Sequence, residues 1–209
     1  MRSDFKRFSK FWIAQMVWVY IVSLPCVLTN AKLYKNQSKF GNPLDIIGLT
    51  FFVVGLLVEI IADYQRFQFI FQRQSKLQVL NSGLWYYSRH PNYFGEIMLW
   101  WGIFIISLSS SPYFYIGILS PILTMFLLLK LSGIPKSEPQ KDQLIQSKGT
   151  EEQKKEYENY LNRTSPLIML PPSVYQNIPL DLKQKFFFEL KSYRFNRDSE
   201  PLLNSQQGE

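Results

Sequence analysis

The sequence contains little of what proteins use to build a metal centre or a disulfide. Cys26 is the only cysteine and His90 the only histidine among 209 residues. One cysteine excludes an intramolecular disulfide and a cysteine-based cluster, and one histidine excludes a histidine-rich centre such as a di-iron site. No metal is therefore predicted, and any catalysis must use side-chain acid–base chemistry or a diffusible organic cofactor.

Acidic residues are scarce relative to basic ones. There are 16 Asp and Glu against 23 Lys and Arg, which gives a formal net charge of +7. The basic residues form no single interleaved patch and no nucleic-acid motif accompanies them, so nucleic acid is not predicted as a partner.

Long apolar runs dominate residues 1–131, whereas residues 132–209 are polar. The mean hydropathy of −0.08 averages these two unlike parts and so hides a membrane protein. A helix needs about 20 mostly apolar residues to cross roughly 30 Å of hydrocarbon. Four runs are candidate spans: Phe11 to Thr29, Leu44 to Ala62, Tyr93 to Leu108 and Tyr113 to Leu131. The sequence predicts an all-α, polytopic membrane protein with about four transmembrane helices.

The basic residues are distributed unequally between the two sides of such a membrane protein. Threading four spans leaves only Lys32, Lys35 and Lys39 on one side, with every other Lys and Arg on the opposite side. The positive-inside rule then places both termini in the cytosol. The endoplasmic reticulum is the expected membrane, and a mitochondrial membrane is the alternative.

The polar part is predicted to contain short amphipathic helices. Thr150 and Gln153 have the spacing of a capping box, and Tyr157, Tyr160 and Leu161 follow at helical spacing. Accordingly, residues 1–172 are predicted as the transmembrane domain and residues 173–209 as a cytosolic tail, disordered over 198–209.

An apolar stripe crosses the tail between basic residues. Its members are Leu182, Phe186, Phe187, Leu190 and Tyr193. The stripe suits either a helix in the membrane interface or a helix packed on its own domain, and the sequence leaves both open.

Residues 86–96 place five hydrogen-bonding or ionisable side chains at the opening of the third span. They are Arg89, His90, Asn92, Tyr93 and Glu96. Such groups are rare inside membranes, because a charge at the span centre costs roughly 2.5–3.5 kcal/mol, and they commonly mark functional sites. Each alone is often structural, as a snorkelling Arg or a helix-capping Asn. Together they predict a cavity for an anionic, hydrogen-bonding ligand.

Other acidic and basic residues are expected near this entrance. Glu59 and Asp63 lie four residues apart at the end of the second span and so share a helix face, although Glu59 could form a structural ion pair and Asp63 could lie at a solvated helix end. Gly133 and Pro135 predict a turn that returns the chain to the entrance. Three residues beyond that turn are candidates for a lid: Glu138, Tyr160 and Arg163.

These motifs resemble those of a known family. Gly83-Leu84-Trp85, Ser88 through Glu96 and Leu99-Trp100-Trp101-Gly102 are similar to the signature of the steroid 5-alpha-reductase-like membrane proteins of the DUF1295 group. The similarity extends over residues 11 to 172.

The resemblance implies a membrane-embedded reductase that binds NADPH from the cytosolic side. The reaction implied is reduction of a carbon–carbon double bond conjugated to a carbonyl, in a lipid or steroid-like substrate. The cofactor contacts carried over are Asp63, Arg89, His90, Asn92, Tyr93 and Glu96, with Arg89 at a phosphate. Supporting roles are expected for Glu59, Glu138, Tyr160 and Arg163, whereas no catalytic residue is identified.

Two other functions stay open. Membrane methyltransferases share an Arg-His-Pro-x-Tyr-x-Gly core that contacts S-adenosylmethionine, although Asn92 and Glu96 fit the reductase pattern better. Relatives also usually carry further transmembrane helices before the segment at Phe11. The chain is thus expected to be a divergent short form, a fragment, or a non-catalytic subunit of a membrane complex. In the last case a partner subunit would supply those helices. Membrane lipid is the other expected partner and would surround the spans.

Overall fold

The computed structural model describes residues 5–31, 40–110 and 112–194. These ranges contain eight α-helices and no β-strand beyond an isolated bridge between Ser88 and Ser165. The helices are α1 (Phe5–Asn30), α2 (Pro43–Gln72), α3 (Pro91–Ser110), α4 (Leu119–Phe126), α5 (Ile134–Lys148), α6 (Glu151–Arg163), α7 (Pro172–Tyr175) and α8 (Leu180–Phe186).

Four helical segments are long and apolar enough to cross a membrane. They are Phe8–Asn30, Pro43–Gln72, Pro91–Ser110 and Phe114–Lys148. The fourth is composite, because a 3-10 helix (Pro112–Ile118), α4 and a π-helical turn (Leu127–Leu131) follow one another before α5 begins. The predicted all-α fold with four spans is confirmed, and the chain is an integral membrane protein.

Helices α2 and α3 pack against each other along small residues. A Cβ atom on Gly55 would lie 2.7 Å from the carbonyl oxygen of Gly95, and one on Gly102 would lie 2.6 Å from that of Gly48. Small residues let two backbones approach closely, which is the usual basis of helix association in lipid. Gly48 and Gly55 are seven residues apart on α2, and Gly95 and Gly102 are seven residues apart on α3. The two glycines of each helix therefore lie on one face of it.

The far end of this helix pair is closed by polar contacts. Asn42 caps α2 by accepting hydrogen bonds from the backbone N–H groups of Leu44 and Asp45. The buried carboxylate of Asp45 accepts the hydroxyl of Ser109 at the end of α3. Helix α1 joins through Ser120 of α4, whose hydroxyl donates to the Val22 carbonyl at 2.7 Å.

The opposite end, where α2 ends and α3 begins, carries residues 132–194 and is called the tail end here. Gly133 and Pro135 break the fourth span and start α5, as predicted. The capping box of Thr150 and Gln153 is present at the start of α6. A small core then joins α5 and α6, formed by Ile145, Tyr157, Tyr160 and Leu161.

The apolar stripe of the tail is divided by the structure. Helix α8 ends at Phe186, and Phe188 has a positive φ of 59°. Leu182 and Phe186 are exposed, whereas Tyr193 is buried and its hydroxyl donates to the Leu129 carbonyl at 2.8 Å. Part of the stripe therefore packs on the domain, and part of it faces outward. The predicted disorder of 198–209 and the positions of Lys32, Lys35 and Lys39 lie outside the described residues.

Candidate functional site

A cavity of about 310 Å³ opens at the tail end. Its walls come from the last turns of α2, the segment between α2 and α3, the first turn of α3, and helices α5 and α6. The polar and aromatic residues that line it are Arg66, Phe69, Arg73, Gln78, Trp85, Arg89, His90, Tyr93, Ser137, Glu138, Lys141, Tyr157 and Tyr160. Ligand cavities typically measure about 300–1,000 Å³, so this one is at the lower end of that range.

His90 and Tyr93 form a flat wall of this cavity. Their rings are stacked, with centroids 5.1 Å apart and planes inclined by 3°. The position of the His90 ring is fixed from behind, because its Nε2 atom is hydrogen-bonded to Oε1 of Glu138 at 3.0 Å. Glu138 comes from α5, so the predicted return of the chain after Gly133 brings it to this place.

Arg89 is held in a buried network. Its Nη1 atom lies 3.2 Å from Oε2 of Glu138, and its Nη2 atom donates to Oε2 of Glu189. The hydroxyl of Tyr175 donates to the same Glu189 oxygen at 2.7 Å. Burial alone lowers the pKa of Arg89, but the negative charges of Glu138 and Glu189 outweigh it, so this pKa is raised above its ordinary value.

This network restricts what Arg89 can bind. Both terminal nitrogens of the guanidinium already donate to carboxylates, and its Nε atom is buried without a partner among the described residues. Glu189, which sequence reasoning did not single out, supplies one of those carboxylates from the segment after α8.

Main-chain contacts place Arg89 and its neighbours. The N–H of Arg89 donates to the Ser165 carbonyl at 2.8 Å, and the hydroxyl of Ser88 donates to the Leu167 carbonyl at 2.8 Å.

The Trp85 indole N–H donates to the Ala62 carbonyl at 3.0 Å, and the Tyr160 hydroxyl donates to the Trp85 carbonyl at 3.0 Å. Helix α6 and the segment after it thus fix the loop that carries the histidine.

Three further cations line the cavity: Arg66, Arg73 and Lys141. In the part of the chain that the structure describes, none of them has a carboxylate oxygen within salt-bridge distance. Arg66 lies over the Trp85 ring at 5.9 Å, and the ammonium of Lys141 donates to the carbonyls of Lys76 and Gln78. Together with Arg89 they face one carboxylate among the described lining residues, that of Glu138.

Sequence reasoning did not predict these three cations as cavity residues, although the sequence contains a signal for two of them. Glu59, Arg66 and Arg73 recur every seven residues, which places them near one face of α2.

Four of the predicted residues form a separate group between α2 and α3. Nδ2 of Asn92 donates to Oδ1 of Asp63 at 3.1 Å. Glu96 and Glu59 lie close enough for their charges to interact with each other and with that of Asp63. None of these four side chains lines the cavity. Tyr93, which lies between Asn92 and Glu96 in the sequence of α3, does line it.

The lid candidates are also divided. Glu138 and Tyr160 line the cavity. Arg163 instead lies with its guanidinium carbon 5.9 Å over the Tyr86 ring and lines a different groove. The structure therefore brings Arg89, His90, Tyr93, Glu138 and Tyr160 together and leaves Arg163 outside.

A second groove of about 420 Å³ adjoins the cavity. The two share Phe69, Arg73, Gln78 and Val79 as lining residues. Arg73 therefore lines both spaces, which adjoin each other.

A family model described as "Protein of unknown function (DUF1295)" matches residues 1–164. This confirms the family that the sequence motifs predicted. No curated protein and no solved structure matches the chain.

Proposed function

The chain belongs to the DUF1295 family, and we propose that it is a membrane-embedded, NADPH-dependent reductase of a conjugated carbon–carbon double bond in a lipophilic substrate. The observation that carries this proposal is the charge of the tail-end cavity. Arg66, Arg73 and Lys141 line it without a carboxylate partner among the described residues. Such a cavity attracts a ligand with several negative charges.

The residues present fit a phosphorylated dinucleotide. NADPH carries a pyrophosphate and a further phosphate, and Arg binds phosphate through a planar fork of donors. Arg66, Arg73 and Lys141 are therefore assigned to the phosphates, because Arg89 already pairs with Glu138 and Glu189. The cavity and the adjoining groove are two neighbouring spaces, which suits a ligand of two linked halves.

The same charge argues against S-adenosylmethionine. That molecule carries a positive sulfonium centre and an ammonium group beside one carboxylate, so cationic walls repel most of it. A methyltransferase site would also need an acid free to bind those positive groups. In the described part of the chain, the one carboxylate lining the cavity is that of Glu138, which contacts Arg89 and His90, and the adjoining groove adds the exposed carboxylate of Glu156.

The chain's own residues would bind and orient the reactants. NADPH, when bound, supplies a hydride to the double bond. The stacked rings of His90 and Tyr93 offer a flat surface for a planar ring, and Glu138 keeps the imidazole in place. The hydrogen bond from Asn92 to Asp63 joins α3 to α2 next to that wall and so fixes the distance between the two helices.

The tail end is proposed to face the cytosol, because all but three of the Lys and Arg residues lie on that side. The endoplasmic reticulum is the proposed membrane. This orientation opens the cavity to soluble cofactor, while a lipophilic substrate would enter from the bilayer.

Calorimetric titration of the purified full chain in detergent tests cofactor choice. NADPH should bind more tightly than S-adenosylmethionine, and Arg73→Gln should weaken NADPH binding by about tenfold or more, since a hydrogen bond to a charged group is worth about 1.5–3 kcal/mol. Lys155→Gln, an exposed cation on α6, is the matched control and should bind as the parent does. Binding of S-adenosylmethionine without any response to NADPH would overturn the proposal.

Turnover is tested separately by NADPH consumption and mass spectrometry of the products from steroid and fatty enones. Saturated products that depend on NADPH support the reductase. Tight NADPH binding without any reduction, alone or with copurifying proteins, would favour a non-catalytic subunit.

A further inference from the structure

A groove of about 600 Å³ lies between the end of α6 and helices α7 and α8. It shares no lining residue with the tail-end cavity. Two cations line it, Arg163 and Lys183, together with the carboxamides of Asn159, Asn162 and Gln176. No carboxylate is among its described lining residues.

Lys183 is a buried cation whose hydrogen-bond partner among the described residues is a neutral carbonyl, although the charge of Glu189 also acts on it. Its side chain belongs to a residue that is 9% exposed, and its ammonium donates to the Asn162 carbonyl at 3.1 Å. The ammonium also lies 4.3 Å from the centre of the Tyr175 ring. Burial lowers the pKa of Lys183, and the negative charge of Glu189 offsets this effect only in part. An ammonium has three donors, so an anion in the groove would find unused ones.

Arg163 supplies a second unsatisfied donor. Its Nε atom is buried and has no hydrogen-bond partner among the described residues. Its guanidinium lies over the ring of Tyr86, which is itself exposed. A buried N–H group without a partner is costly. The terminal nitrogens of Arg163 form no ion pair with a described carboxylate either, so they can bind an acceptor in the groove that the residue lines.

Several observations put this groove at the level of the membrane surface. Tyr86 and Tyr87 are exposed and precede the start of α3 at Pro91 by a few residues, which is where interfacial tyrosines occur. The segment after α8 returns to the fourth span, where the Tyr193 hydroxyl bonds to the Leu129 carbonyl.

Apolar side chains also border the groove. Leu180 lines it and is 61% exposed, and Phe186 on the same short helix is 63% exposed. Large exposed apolar side chains next to cations are typical of segments that rest on an anionic bilayer surface.

We propose that this groove binds the phosphate headgroup of an anionic phospholipid. Arg163 and Lys183 would hold the phosphate, the carboxamides would bind the rest of the headgroup, and Leu180 and Phe186 would contact the acyl chains. The outward-facing part of the tail's apolar stripe then lies in lipid, while the inward part packs on the protein.

Native mass spectrometry of the full chain, released from detergent micelles that contain defined lipids, tests this proposal. The parent should retain phosphatidylglycerol at least about fivefold better than zwitterionic phosphatidylcholine, because net negative charge is what the two cations select. Arg163→Gln and Lys183→Gln should each remove this preference. Lys155→Gln, on the same helix as Arg163 but exposed, should leave it unchanged. The melting temperature of each variant would also be measured. The lipid preference is compared only among variants whose melting temperature equals that of the parent.

Three results would overturn the proposal. One is equal retention of the two lipids by the parent. Another is displacement of the lipid by inorganic phosphate or glycerol 3-phosphate at equal concentration, which would make the groove a site for soluble phosphate. The third is an Arg163→Gln variant that keeps the lipid preference but loses NADPH binding. The two sites share no residue, so failure of the reductase proposal leaves this test intact.

Discussion

Oε2 of Glu138 lies 3.2 Å from Nη1 of Arg89, and both side chains are almost completely buried. Glu138 also binds His90, so one carboxylate fixes two neighbouring residues of the loop before α3. The cavity therefore keeps its shape through a carboxylate contributed from α5, 49 residues away in sequence.

Glu138→Gln should destabilise the protein strongly. The substitution keeps the shape of the side chain but leaves Arg89 with one carboxylate, and removing one partner of a buried ion pair commonly costs about 3–5 kcal/mol. The apparent free energy of unfolding in mixed micelles measures the effect. The exposed pair of Lys154 and Glu151 provides the control, since Glu151→Gln removes a solvent-screened ion pair and should change stability far less. Equal stability of the two variants would contradict the structural role of the pair.

Gly95→Ala should loosen the contact between α2 and α3. The new Cβ atom would lie 2.6 Å from the carbonyl oxygen of Gly55, so the helix backbones must separate. A loss of about 1–3 kcal/mol is expected, the usual cost of overpacking a tight interface. Gly117→Ala is the matched control, because the nearest atom to its Cβ is a side-chain carbon of Pro25 at 3.3 Å. Unfolding in mixed micelles should separate the two variants clearly.

Stability should fall at alkaline pH because of buried tyrosines. Burial raises the pKa of Tyr160 above its ordinary value, so its folded pKa exceeds its unfolded pKa of about 10. The stabilisation from the neutral hydroxyl is then fully present below about pH 10 and is lost as the pH rises through the folded value. Unfolding measured between neutral and strongly alkaline pH should show this decline. Tyr160→Phe should make the decline shallower, and an unchanged slope would show that Tyr160 does not contribute.

Cysteine labelling should place residue 35 on the side opposite the tail end. In a Cys26→Ser background, Lys35→Cys should react with an impermeant maleimide only from the non-cytosolic side of sealed vesicles, and Lys155→Cys only from the cytosolic side. The expectation follows from the uneven distribution of Lys and Arg. Labelling of both positions from one side would disprove four spans with this orientation.

Much of the fold was predictable because its signals are local. Spans of about 20 apolar residues must cross the bilayer as helices, since no water is present there to bind free backbone groups. The capping box of Thr150 and Gln153 and the turn at Gly133 are equally local, and the structure contains both. The glycines between α2 and α3 are spaced seven residues apart along each helix, and this spacing also indicates that the two helices pack closely.

The site was only partly predictable. The sequence placed Arg89, His90, Asn92, Tyr93 and Glu96 together because they are neighbours along the chain. In the structure a helix turn directs Asn92 toward Asp63 and leaves Tyr93 stacked on His90, so neighbours serve different clusters. The cofactor, the reaction, the partners and the organelle stay predictions.

The sequence by itself determined that this protein is helical, has four segments long and apolar enough to cross a membrane, and belongs to its family, because hydropathy, helix periodicity and motif spacing are properties of short segments. Only the tertiary structure decided that Arg89 is bound by Glu138 and Glu189, and that Arg66, Arg73 and Lys141 are left facing the cavity. The physical reason is that an ion pair forms between whichever charges packing brings together. Glu189 lies 100 residues from Arg89, and no local pattern records that distance.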